Sequence, residues 1–166
     1  MKNDKNSQNF IEVLQNNDLI AVQKVPKAEA HNHGALGGNI EYIRDRFGIH
    51  LKSNNKKFKD ILSMEEFIKK EGLIQGVLTL DKNIEAAFVQ AKIDGIILLE
   101  MSFGSQLAQF FPGGVDEFII PLRFLHESFA PNIIFRPGVS LNRVMPIEKL
   151  YKEAAPFIES GYFTSS

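Results

Sequence analysis

Cysteine is missing from the sequence, so no disulfide frames the fold and no thiolate can hold a metal. Tryptophan is missing too, although phenylalanine is plentiful; no function attaches to that imbalance. Net charge is nearly absent, because 19 basic side chains face 20 acidic ones. That balance gives no long-range reason to expect a nucleic acid or an anionic membrane as partner. No apolar run is long enough to cross a bilayer. The opening "MKNDKNSQNF" lacks the apolar centre of a signal peptide, so the cytoplasm is the expected compartment. No repeat, low-complexity tract or linker divides the chain, and residues 1–166 suit a single domain with a real core.

What is there reads as alternating elements. Phe10, Ile11, Val13 and Leu14 share a stripe that predicts a short helix at about 10–20. Residues 28–33 read as a strand. Ile40, Ile43 and Phe47 then mark a helix that stops at Gly48. Ser53 to Asp60 reads as a solvated loop. Ser63 and Glu66 form a capping box for a helix that closes at Gly72. Asp81 suits the N-cap of a helix striped with Ile84, Ala87, Phe88 and Ala91 and ended by Gly95. "IILLEMSF", Ile96 to Phe103, is short and apolar, as a strand buried on both faces would be. A helix around Phe118, Leu122 and Leu125 contains Pro121, which should kink it or delay its start. "NIIFRPGVS" predicts another strand, "PIEKLYKEAAPFIESG" another helix, and "YFTSS" the start of a further strand. This order predicts an α/β fold built on a parallel sheet of about three to four strands.

The chemistry concentrates in "VPKAEAHNHGALGG", Val25 to Gly38. On a strand His31 and His33 project to one face, with Asn32 turned away. Paired imidazoles held stiffly suit zinc or a similar divalent ion. The glycines that follow let the chain turn and leave room beside the ion. The other two histidines, His50 after a helix and His126 on one, read as solvated or structural. Glu100 stands inside an apolar strand, where a carboxylate pairs with a cation or carries a raised pKa; the pairing is the expectation.

"VPKAEAHNHG" resembles the opening of adenosine deaminase-like enzymes of the amidohydrolase superfamily, whose first strand reads Pro-Lys, an acidic residue, then His-x-His. "FVQAKIDGIILLEMSF" and "NIIFRPGVSLNR" are similar, more weakly, to the family's second and third strands. The resemblance implies an eight-stranded (β/α)8 barrel of the TIM type with one zinc, held in part by His31 and His33. It implies hydrolytic deamination: zinc-activated water attacks the amino-bearing carbon of a purine, and ammonia leaves. It further implies Phe67 as an apolar cover over the base. Ala35 stands where the family places a ribose-contacting aspartate, which turns the expected substrate towards a purine nucleoside or another aminopurine.

The family's third histidine, its proton-donating glutamate and its ligand aspartate have no counterpart in this sequence. A whole barrel takes about 250 residues. The expectation is therefore the N-terminal part of such a barrel, without a catalytic acid and with weak zinc affinity. Two other readings stay open. The chain is a non-catalytic half-barrel that needs a copy of itself or a chain carrying the missing C-terminal half; or it is another HxH metallohydrolase, such as a phosphoesterase.

Overall fold

A computed structural model describes residues 5–50, 57–70, 77–142 and 145–165. Two short helices, α1 (Lys5–Gln15) and α2 (Leu19–Lys24), stand where a single helix at 10–20 was expected. Asn17 separates them with φ 53, a left-handed conformation that asparagine tolerates. Asp18 then restarts the chain, its side chain accepting from the Ala21 amide at 2.9 Å.

Four parallel strands follow: β1 (Lys27–His33), β2 (Ile96–Gly104), β3 (Ile134–Ser140) and β4 (Thr164–Ser165). They lie side by side in chain order. Between β1 and β2 run α3 (Ile40–Phe47), α4 (Ile61–Lys70) and α5 (Val77–Ile93); α6 (Gly114–Phe129) precedes β3 and α7 (Ile147–Glu159) precedes β4. The Asn39 side chain caps α3 by accepting from the amides of Glu41 and Tyr42, and Gly48 ends it at φ 67. Helix α4 begins earlier than Ser63 and Glu66 suggest. Asp60 and Ser63 cap each other, the Ser63 amide donating to Asp60 and the Asp60 amide to the Ser63 hydroxyl. Gly72, and the Ser53–Lys56 part of the expected loop, lie outside the described residues. Asp81 is not a cap. Residues 77–80 already belong to α5, and fully buried Leu80 anchors that turn. Helix α6 runs through Pro121.

Strand β2 is buried on one face only, contrary to the reading of its apolar run. Leu99, Met101 and Phe103 are fully buried, whereas Leu98, Glu100 and Ser102 are half-exposed. The cause is the strand order. Parallel neighbours joined in sequence by crossovers of one hand return every helix to the same side. Residues of α5 (Leu80, Ile84, Phe88), α6 (Phe118, Leu122) and α7 (Phe157) therefore pack on one face of the sheet. The other face is open. The register lays rows across it: Ala28, Leu98 and Ile134 at the N-terminal end of the strands, then Glu100 and Arg136, then His33, Ser102, Gly138 and Thr164 towards the C-terminal end.

Candidate functional site

His31 and His33 end strand β1 with both side chains exposed, while Asn32 between them is buried. Their rings meet edge-on with centroids 4.7 Å apart. A zinc ion lies about 2.0–2.1 Å from each imidazole nitrogen, so two rings bound tetrahedrally have centres roughly 5 Å apart. The observed pair fits that spacing. A shallow pocket of about 120 Å³ opens beside them, lined also by Glu100, Ser102, Arg136 and Thr164. Among the described residues no set of three imidazoles and carboxylates is arranged to enclose an ion.

Glu100 carries no sign of an isolated buried acid. Arg136 Nη1 donates to its Oε1 at 3.4 Å, and both side chains are about half-exposed. Such a pair contributes little to stability, but it sets one charge of each sign on the pocket floor. Ser102, opposite His33, donates from its hydroxyl to the Asn32 carbonyl at 3.2 Å. The periodicity of β1 gave no hint of Ser102 or Thr164, because they reach the pocket only through strand register.

The glycines after His33 do not do what their spacing suggested. None of Gly34, Gly37 and Gly38 has positive φ, so no turn demands them. They permit close approach instead. A Cβ on Gly34 would strike the Phe103 ring, one on Gly37 the Asn32 amide, and one on Gly38 would sit 2.8 Å from both the Ala86 Cβ and the Asn83 carbonyl of α5. The loop folds back against the core. A polar chain fixes its far end. Asn39 donates to Gln90 at 2.6 Å, Gln90 to Asp94 at 2.8 Å, and Gln23 to Asp94 at 3.3 Å.

At the other end of β1, Lys27 donates from Nζ to the Val22 and Val25 carbonyls at 2.8 and 2.9 Å. Burial pushes its pKa below the usual lysine value, against the opposing pull of Asp94. The Pro-Lys pair thus ties the end of α2 to the first strand.

Ala35 belongs to the hydrophobic core, and Phe67 packs on Phe58 with ring centroids 5.5 Å apart. Neither lines the space beside the histidines. His50 is exposed in the chain after α3. His126 lies against the rings of Phe88 and Phe135, and its Nε2 sits 2.8 Å from the Ile133 carbonyl. No protein-family model matches the chain, and no curated protein matches it.

Proposed function

We propose that His31 and His33 are two ligands of one divalent ion, zinc above others, in an adenosine deaminase-like hydrolase, and that the sheet is a portion of a (β/α)8 barrel. One observation carries the metal reading: two exposed imidazoles at zinc-compatible spacing stand at the C-terminal end of the first parallel strand, beside a pocket. Barrel enzymes keep their chemistry at that end of their strands. Sequential strand order, helices on one face, and an open face graded from apolar Leu98 and Ile134 to polar Ser102 and His33 support the barrel reading.

Each histidine would hold the ion through one ring nitrogen, and the parallel sheet keeps the two rings together. A bound zinc lowers the pKa of water towards neutrality, which is the chemistry that hydrolytic release of ammonia from an aminopurine requires. The substrate of this reading is a purine nucleoside or another aminopurine. The two-histidine set implies weak affinity until a third ligand joins it.

Calorimetric titration with zinc tests this. The expected result is one ion per chain, lost in the His31→Ala/His33→Ala variant. Unchanged zinc uptake in that variant overturns the assignment. Ammonia release from adenosine or adenine, compared with phosphate release from phosphate esters, separates a deaminase from a phosphoesterase.

A second reading has its own observation. Ile134 is 60% exposed on the open face, beside half-exposed Leu98. Parallel sheets are normally covered on both faces. A half-barrel that binds a covering partner, either a second copy or a chain carrying further strands, accounts for that surface without catalysis.

A further inference from the structure

Between Glu29 and Asn32, strand β1 carries one residue more than β2; an opposite shift between Lys27 and Ala28 precedes it. Glu29 pairs with Leu99 and Asn32 with Met101, so Ala30 and His31 together stand opposite Glu100. This is a β-bulge. In an unbroken strand Glu29, His31 and His33 would share a face. That face would be the helix-covered one, because Glu29 is in register with fully buried Leu99. The extra residue reverses the phase. His33 comes into register with Ser102 on the open face, and Asn32 goes inward beside Met101. A one-residue slip exchanges the two faces of a strand completely. The bulge therefore decides that the imidazoles meet the pocket and not the core.

One side-chain hydrogen bond spans it. Asn32 Nδ2 donates to Glu29 Oε1 at 3.0 Å, bridging the two bulged residues from the inner side. The other amide atom, Asn32 Oδ1, is buried without a donor among the described residues. Turning the amide over would bring that oxygen against the Glu29 carboxylate, so the carboxylate alone sets its orientation. Gly37 lies against the same amide with no space for a side chain.

We propose that Glu29 and Asn32 form a clip that locks the bulge and so places His31 and His33 on the open face. They are positioning residues; neither is a ligand. The affinity arm of the test rests on the metal reading above, and the contact arm does not.

The test compares three variants with the parent chain. Glu29→Gln keeps an acceptor oxygen. Asn32→Asp is isosteric but sets one carboxylate against another. Glu29→Ala, which removes the acceptor without adding charge, serves if Asn32→Asp does not fold. Nuclear Overhauser contacts between the His33 ring and Ser102, and between Asn32 and Met101, report the bulge directly, because both pairs come into register only with the extra residue in place. Zinc affinity reports its consequence.

Glu29→Gln is expected to keep both contacts and the parent's zinc affinity. Asn32→Asp and Glu29→Ala are expected to lose the contacts and to bind zinc about tenfold more weakly or worse. Folded Asn32→Asp or Glu29→Ala with both contacts intact overturns the clip, even if its melting point falls. So does Glu29→Gln losing them as fully as Glu29→Ala. A parent chain that takes up no zinc removes the metal reading, and the contacts still decide the clip.

Discussion

Replacing Gly34 by alanine should destabilise the protein through a single collision. Gly34 follows β1 directly, and its amide donates to the Ser102 carbonyl at 3.0 Å. Its φ is not positive, so alanine fits the backbone there. On backbone grounds alone the exchange would stabilise by about 0.4–1 kcal/mol, through a less mobile unfolded chain. The new methyl, however, falls on the Phe103 ring, with Cδ1 and Cζ both at 2.7 Å. That ring cannot swing away easily. It is fully buried and packs edge-on against Phe118 and Phe163 at 5.4 and 6.2 Å. Overpacking a tight core costs about 1–3 kcal/mol. Setting that against the backbone gain leaves a net loss of about 1–2 kcal/mol. For a chain of this size the melting point should drop by about 2–8 °C. Thermal unfolding followed by circular dichroism measures it. Phe103→Leu removes the ring edge, so the double variant should recover about 1 kcal/mol relative to the sum of the single variants. Gly48→Ala is the control. Its φ of 67 strains any side chain by about 1–2 kcal/mol, but none of the described residues lies within 4 Å and Phe103→Leu should not rescue it. A Gly34→Ala protein as stable as its parent, or strict additivity with Phe103→Leu, refutes the close-packing account of the loop.

Burial pushes the Asp81 carboxyl above its usual 3.8, and its Oδ1 has no donor among the described residues. The folded state therefore holds this proton at a pH where the unfolded chain has released it. The carboxylate costs stability above the raised value, and the cost fades as pH falls from there towards 3.8. Asp81→Asn should stabilise the protein at neutral pH, with the advantage shrinking in acid; a difference that does not vary with pH in denaturant titrations contradicts this. If the open face takes a covering partner, purified chain should self-associate in light scattering. A well-folded monomer across a wide concentration range counts against that reading.

Local signals predicted the elements whose causes are local. Gly48 and Gly95 both end helices with positive φ, and β2 begins directly after Gly95. Other features depend on partners far along the chain. The apolar run at Ile96 does not reveal that α5, α6 and α7 all return to one side of the sheet. Period two puts His31 and His33 on a common face but does not say which, because the bulge at Ala30 and His31 exists only against β2. A glycine that avoids Phe103 looks, in sequence, the same as a glycine that turns. Asp81 resembles a cap only when the apolar stripe is counted from Ile84, whereas buried Leu80 already belongs to it.

The aromatic residues that give no functional hint by their number do connect the two edges of the sheet. Phe163 stacks on Phe118 at 6.0 Å and meets Phe157 at 4.9 Å, and it also touches the Phe103 ring on which Gly34 rests. The segment leading into β4 is thereby a wedge behind the histidine strand. Pulling it out would leave a gap two side chains away from His33. The last described strand, despite its two residues, is mechanically close to the first.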